Sequence, residues 1–181
     1  MKKEYMTLLG AGFFSGVINA LLSSFEISYT ITLLFGAGIF YGIVTGIYFS
    51  FVADPHCQKK YRKMFAWTVF SAVSYLLAVK TTLSSSQVDL LPNPGLFGYF
   101  SGGLVGTLTL FVAFHFLYKK NPLGNWLSVT ACGALLPPLL FFFFKDFSWM
   151  GFELTSLLYL FWQTMVTVLL GLSLFEEKGA R

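Results

Sequence analysis

The chain has 181 residues, of which 56% are hydrophobic and 11% are charged, with a formal net charge of +4 and a mean hydropathy of +0.70. Soluble globular domains carry about 25% charged residues, so this composition excludes an ordinary soluble domain. The surplus of basic residues is accounted for by membrane topology, as described below, and gives no support to nucleic-acid binding.

Six apolar segments follow one another along the chain. Each is close to the ~20 residues that cross a bilayer as a helix. The predicted spans are 5–25, 30–53, 64–83, 96–118, 124–144 and 152–175. The connections between them are short, so the sequence predicts an all-α polytopic membrane protein in which residues 1–181 form a single transmembrane domain.

Basic residues are concentrated on one side of the predicted membrane. Of the 12 lysines and arginines, ten fall at the termini or in the loops of that side: Lys2, Lys3, Lys59, Lys60, Arg62, Lys63, Lys119, Lys120, Lys178 and Arg181. Positive residues remain cytoplasmic, so both termini are predicted to face the cytoplasm. The lipid bilayer is the expected environment, and a bacterial cytoplasmic membrane is the expected location.

Three of the spans share a glycine pattern. Spans one, two and four contain "GFFSGVINA", "GIFYGIVTG" and "GYFSGGLVG", in which small residues recur every four positions. Residues at this spacing lie on one face of a helix and let membrane helices approach closely. The predicted helix-packing faces are Gly12, Gly16 and Ala20; Gly38, Gly42 and Gly46; and Gly98, Gly102 and Gly106.

The match between "FFSG" in span one and "YFSG" in span four has two interpretations. It suits an inverted three-plus-three repeat of the kind found in transporters. Span two carries the same pattern, however, and shared packing chemistry explains all three copies without a duplication. In the fifth span, Pro137 and Pro138 predict a kink, and a discontinuous helix that lines a site is the alternative.

The stretch "PGLFGYFSGGLVG" resembles the nucleophile segment of rhomboid proteases, in which a Ser-Gly opens the fourth of six spans. That resemblance implies a role for Ser101. Rhomboids activate this serine with a histidine in the sixth span, whereas span six here reads "SLLYLFWQTMVTVLLGLSL". His115 lies 14 residues along the same helix as Ser101, which is about 21 Å. A catalytically inactive rhomboid-like protein is therefore a minor alternative, and no catalytic residue is assigned.

Polar side chains within the spans are amides and hydroxyls, and the predicted spans hold no carboxylate or amine near their centres. This disfavours a proton antiporter of the carboxylate type. Amides such as Asn19 and Gln163 commonly form hydrogen bonds between membrane helices, and this is one interpretation of them. The other is that Asn19, Gln163 and Thr164 form a polar spot in a mostly apolar pocket, which makes them the candidate ligand-binding residues. Trp149 and Glu153 are placed at an aromatic outer mouth of that pocket. The sequence predicts no metal site and no cofactor, because its two histidines and two cysteines do not cluster.

The leading functional hypothesis is a small membrane subunit that binds or passes a small solute within a larger assembly. In size, span number and orientation the chain is similar to the substrate-binding subunits of energy-coupling-factor vitamin transporters, which implies that Gly12, Gly16 and Ala20 dock a membrane partner. The alternative is an interaction protein, either an accessory subunit or a pore-forming homo-oligomer packed through its glycine faces.

Overall fold

A computed structural model describes most of the chain: residues 2–24, 37–53, 58–87, 93–118, 126–144, 146, 148–149 and 152–175. The described part is helical apart from one short strand pair and a few residues in turns, and it contains six α-helices. They are α1 (Lys2–Ser24), α2 (Ala37–Ile47), α3 (Lys60–Ser85), α4 (Pro94–Tyr118), α5 (Trp126–Phe144) and α6 (Leu154–Phe175). The predicted spans coincide with these helices to within a few residues, and residues 25, 30–36 and 124–125 of those spans lie outside the described residues.

Two local features interrupt the regular helices. The second helix continues directly as a π-helix over Tyr48–Ala53. Between α5 and α6, β1 (Ser148–Trp149) and β2 (Phe152–Glu153) pair in antiparallel register, with Ser148 opposite Glu153 and Trp149 opposite Phe152. Pro137 and Pro138 lie inside α5, which runs through them without a break in its helical assignment. The structure thus has a continuous fifth helix at the position where a discontinuous one was the alternative.

The helices form a closed ring. Each helix contacts the next one in sequence, and α6 returns to contact α1. Contacts at the glycines give the directions: Gly12 faces Thr164 while Gly16 faces Leu160, so α1 and α6 are antiparallel. Gly38 faces Ala72 while Gly42 faces Thr68, so α2 and α3 are antiparallel. Gly98 faces Thr82 while Gly106 faces Ala78, so α3 and α4 are antiparallel as well. Because neighbouring helices alternate in direction, α3 ends and α4 begins at one end of the ring, which we call the 85/94 end.

The glycine faces pack inside the ring. A methyl group on Gly16 would lie 2.7 Å from Cα of Leu160, and one on Gly42 would lie 2.6 Å from Cα of Thr68. On α4, a methyl group on Gly98 would lie 2.7 Å from the carbonyl oxygen of Thr82. These backbone-to-backbone approaches leave no room for a side chain. Gly12, Gly38, Gly46, Gly102 and Gly106 likewise contact a neighbouring helix, and Ala20 is buried.

The distribution of polarity is that of a membrane protein. Buried polar side chains include Asn19, Thr45, Gln163 and Thr167, whereas Phe65 and Phe116 are 70% and 72% exposed. An outer surface with this many exposed apolar side chains is unusual for a soluble monomer. In the described residues, α3, α4 and α5 are long and apolar enough to cross a membrane, and α1, the second helix and α6 carry shorter apolar segments. These observations support an integral membrane protein.

An aromatic cluster fills the ring at the end opposite the 85/94 end. Phe49, Trp67 and Phe114 are fully buried, and their rings meet edge to face with centroids 5.2–5.9 Å apart. The π-helix buries Tyr48, Phe49 and Ser50 consecutively. An α-helix turns about 100° per residue, so consecutive burial of this kind suits a locally widened turn. We call Tyr48, Phe49, Trp67, Phe114 and Tyr118 the aromatic plug.

Substituting alanine at Gly16 tests the close contact between α1 and α6. We expect Gly16→Ala to lower the free energy of unfolding by about 1–3 kcal/mol, because the methyl group meets the backbone of α6. Gly10 is the matched control on the same helix, since nothing lies within 4 Å of a methyl group placed there. Gly10→Ala should raise stability by about 0.5–1 kcal/mol through its helix propensity. The measurement is denaturant unfolding in detergent micelles, and a loss of equal size in both variants would contradict this packing.

Candidate ligand-binding cavity

A partly open cavity of about 260 Å³ lies between α3, α4, α5 and α6. Its lining is mostly apolar and aromatic, with a few polar groups. The lining residues are Tyr75, Ala78, Val79, Thr82, Leu83, Tyr99, Gly102, Gly103, Pro137, Leu158, Tyr159, Trp162 and Gln163. These positions lie toward the 85/94 end of the helices, whereas Trp67 of the aromatic plug is about 12 Å further along α3 from Tyr75. The cavity and the plug therefore occupy opposite halves of the ring.

Gln163 brings a buried amide to the cavity wall. Its side-chain oxygen accepts two hydrogen bonds, one from Ser15 Oγ at 2.9 Å and one from Asn19 Nδ2 at 3.0 Å. Asn19 Nδ2 also donates to the backbone carbonyl of Ala37 at 3.1 Å. Both amide side chains are only 2% exposed. One polar cluster thus connects α1, α2 and α6 directly behind the cavity wall.

The orientation of these two amides follows from the carbonyl of Ala37. A backbone carbonyl only accepts hydrogen bonds, so the end of Asn19 that faces it must be the NH₂ group. The same NH₂ group faces Gln163, which must therefore present its oxygen. Consequently the NH₂ group of Gln163 points away from Asn19. No hydrogen-bond partner for it lies among the residues that the structure describes.

A tyrosine pair crosses the interior of the ring. The hydroxyl oxygens of Tyr75 on α3 and Tyr159 on α6 lie 2.6 Å apart, and the centroids of their aromatic rings are 6.2 Å apart. Both residues line the cavity. A tyrosine hydroxyl buried in an apolar bundle requires a polar partner, and each of these supplies it to the other. The pair therefore joins two helices that are not neighbours in the ring.

Pro137 explains the position of Trp162. A proline inside a helix removes the backbone N–H that would bond to the carbonyl four residues earlier, which here is Gly133. Trp162 Nε1 donates to that carbonyl at 3.2 Å. A backbone carbonyl freed in an apolar environment must find another partner, and the indole of α6 provides it. This bond connects α5 to α6 and holds the Trp162 ring at the cavity wall.

The sequence-predicted binding residues are placed differently with respect to the cavity. Gln163 lines it, and Asn19 contacts Gln163 from behind. Thr164 donates to the carbonyl of Leu160 in its own helix, and its backbone lies against Gly12 of α1. Trp149 and Glu153 belong to the strand pair, and their side chains lie outside the described residues.

Several cavity residues were not anticipated from the sequence. Tyr75, Tyr159 and Trp162 lie well inside their spans, and each carries a polar group that must be paired within the bundle. Aromatic residues are common at membrane interfaces, which makes them weak signals when only spacing is considered. The usable signal was the combination of Pro137 with a tryptophan on another span, because a freed carbonyl needs a donor.

Ser101 lies within α4, and its side chain bonds to the backbone of the same helix. Its hydroxyl donates to the carbonyl of Gly98 at 3.0 Å. His115 is in the last turn of the same helix, and its ring lies against Phe116. In the described part of the chain, no group of three or more histidine, cysteine, aspartate or glutamate residues is arranged to hold a metal ion.

A double-mutant cycle tests the bond between Trp162 and the carbonyl that Pro137 frees. We expect Trp162→Phe to lower the free energy of unfolding by about 1–3 kcal/mol, because the carbonyl of Gly133 loses its donor. In a Pro137→Ala background an intrahelical N–H satisfies that carbonyl, so the cost of Trp162→Phe should fall by about 1 kcal/mol or more.

Pro138→Ala is the matched control for this cycle. It restores the bond to Ala134 and not the one to Gly133, so it should leave the cost of Trp162→Phe unchanged. Denaturant unfolding of the six proteins, the wild type and five variants, measures both couplings. Equal costs in all three backgrounds would show that Trp162 acts only by filling space.

Comparisons with protein families, with characterised proteins and with solved structures give no match to this chain. No family or relative therefore supplies a function. The features of the structure that bear on function are the cavity, the amide cluster behind it and the aromatic plug opposite it.

Proposed function

We propose that this protein is a small integral membrane subunit that binds a small solute in the cavity between α3, α4, α5 and α6. It spans the membrane six times, with both termini in the cytoplasm of a bacterial cell and the 85/94 end facing outward. The observation that carries the proposal is a buried glutamine amide at the wall of an otherwise largely apolar cavity. Sites for small molecules typically combine such a lining with a few well-placed polar groups.

The orientation of the proposed subunit follows the charges. Lys59, Lys60, Arg62 and Lys63 lie at the start of α3, which is the end opposite the cavity. The ammonium groups of Lys60 and Lys63 lie 5.7 Å and 5.6 Å from the ring centres of Phe51 and Tyr118. A basic end of this kind remains cytoplasmic. The cavity then lies in the outer half of the membrane.

Binding is favoured over passage by the aromatic plug. Phe49, Trp67 and Phe114 have no exposed surface. Their aromatic side chains fill the interior of the helix bundle between the cavity and the end opposite the 85/94 end. The hydroxyls of Ser50 and Tyr118 lie 3.0 Å apart at the same level, and Trp67 Nε1 donates to Thr45 Oγ1 at 2.8 Å. A solute in the cavity would have to separate these groups to cross. Transport would therefore require a partner that drives a conformational change, since the chain carries no nucleotide-binding motif.

The alternative, an assembly formed through glycine faces, has less support. Gly12 and Gly16 of α1 lie against α6, and Gly98, Gly102 and Gly106 of α4 lie against α3. A second copy or a partner would have to displace these helices before it reached the same faces. A membrane partner of the proposed subunit is therefore expected to dock elsewhere than on these faces.

Filling the cavity tests the proposed function. We expect Val79→Phe to weaken binding of para-fluoroacetophenone by at least about tenfold, because Val79 lines the cavity and the larger side chain occupies it. Val73→Phe is the matched control, since Val73 lies on the same helix and is 41% exposed on its outer face. Fluorine NMR of the protein in nanodiscs measures binding, with empty nanodiscs correcting for partition into lipid. Equal affinity in the two variants would refute binding in this cavity.

A further inference from the structure

We infer that the solute is a small, uncharged, planar molecule whose hydrogen-bond acceptor is bound by the side-chain NH₂ group of Gln163. This inference depends on the proposed function, because it assigns the chemistry of the ligand in the same cavity. It is carried by the unused donors of Gln163, the absence of charge in the lining, and the size and aromatic character of the cavity.

The requirement for an acceptor comes from the amide cluster. Ser15 and Asn19 use the oxygen of Gln163, and Asn19 is held in its orientation by the carbonyl of Ala37. Two N–H donors of Gln163 therefore remain, on a residue that is 98% buried and lines the cavity. Unpaired donors in an apolar site carry a desolvation cost that an acceptor on the ligand removes.

The requirement for a neutral ligand comes from the lining. Among its residues there is no aspartate, glutamate, lysine or arginine, and Lys80, the nearest charged residue along α3, is exposed. A charge placed in such a site would lose its hydration without gaining a partner. The cavity therefore selects against carboxylates and amines.

The shape of the ligand follows from the volume and the aromatic walls. A cavity of about 150 Å³ accepts benzene, so about 260 Å³ accommodates one ring with short substituents. The rings of Tyr75, Tyr99, Tyr159 and Trp162 contribute to the lining, and Gly102 and Gly103 add flat backbone surface. Aromatic side chains bind planar molecules favourably by stacking or edge-to-face contact.

Two probes of equal size separate the acceptor from simple apolar burial. Para-fluoroacetophenone carries a carbonyl acceptor, and para-fluorocumene has in place of the carbonyl a tetrahedral CH that bears a second methyl group. This difference in shape is the same in Gln163→Met, so that variant separates the acceptor from the shape. Apolar burial alone would favour the cumene. We expect the ketone to bind at least about fivefold more tightly in fluorine NMR, after correction for partition into empty nanodiscs. Para-fluorobenzoate, the charged probe, should be rejected.

Variants assign the preference to Gln163. In Gln163→Met the preference for the ketone should disappear, whereas Ser15→Ala, which removes a partner of the Gln163 oxygen and not its NH₂ group, should retain it. If Gln163→Met does not fold, the infrared carbonyl stretch of the bound ketone decides for the wild-type protein. A shift of that band to lower frequency supports the hydrogen bond, and an unshifted band overturns it.

The outcomes distinguish this inference from the proposed function. Equal binding of ketone and cumene, with both lost in Val79→Phe, overturns the acceptor and leaves the cavity as a binding site. Benzoate bound as tightly as the ketone overturns the requirement for a neutral ligand. Binding of both neutral probes that Val79→Phe does not weaken overturns the proposed function, and the ligand chemistry with it.

Discussion

The hydrogen bond from Asn19 to the backbone carbonyl of Ala37 sets the direction of the polar groups inside this bundle. The carbonyl only accepts, so the NH₂ group of Asn19 must face it, and the oxygen of Gln163 must face Asn19. In an apolar environment none of these groups has water as a substitute partner. The remaining donors belong to a residue that lines the cavity, and no partner for them lies among the described residues. In the function proposed above, a contact between α1 and α2 thereby determines the chemistry offered to a solute between α3, α4, α5 and α6.

Close backbone packing makes this arrangement possible. Gly16 brings α1 against Leu160 of α6, next to the amide cluster, and Gly102 brings α4 against α3 at the cavity. The motif of span one thus packs on the sixth helix and that of span four on the third. The two ends of the ring of helices differ in their interiors, since the aromatic plug fills one end and the cavity occupies the other. This asymmetry suits a subunit that binds a solute from one side.

The helices were predictable from the sequence, whereas their partners were not. Long apolar segments must be helical in a membrane, and for that reason spans 64–83 and 96–118 coincide closely with α3 and α4. Gln163 was predicted as a polar group well inside an apolar span, and the structure places it at the cavity wall. The glycine spacing predicted close faces, but contacts within a chain and between chains obey the same packing physics. Thr164 follows Gln163 in the sequence, so it lies about 100° further around the axis of α6 and faces α1. Which neighbour it faces depends on where α6 lies in the ring of helices.

The most direct test of this account observes the Gln163 side chain itself. Gln58, Gln87 and Gln163 are the glutamines of the chain, so selective isotope labelling gives a side-chain NMR spectrum simple enough to assign with Gln163→Met. On addition of para-fluoroacetophenone, the NH₂ resonances of Gln163 should shift to the positions of a hydrogen-bonded amide, and those of Gln58 and Gln87 should not move. Para-fluorocumene should leave the Gln163 NH₂ resonances without that hydrogen-bond shift. Gln163 resonances that stay unchanged while the ketone binds would contradict the central claim that this amide recognises the solute.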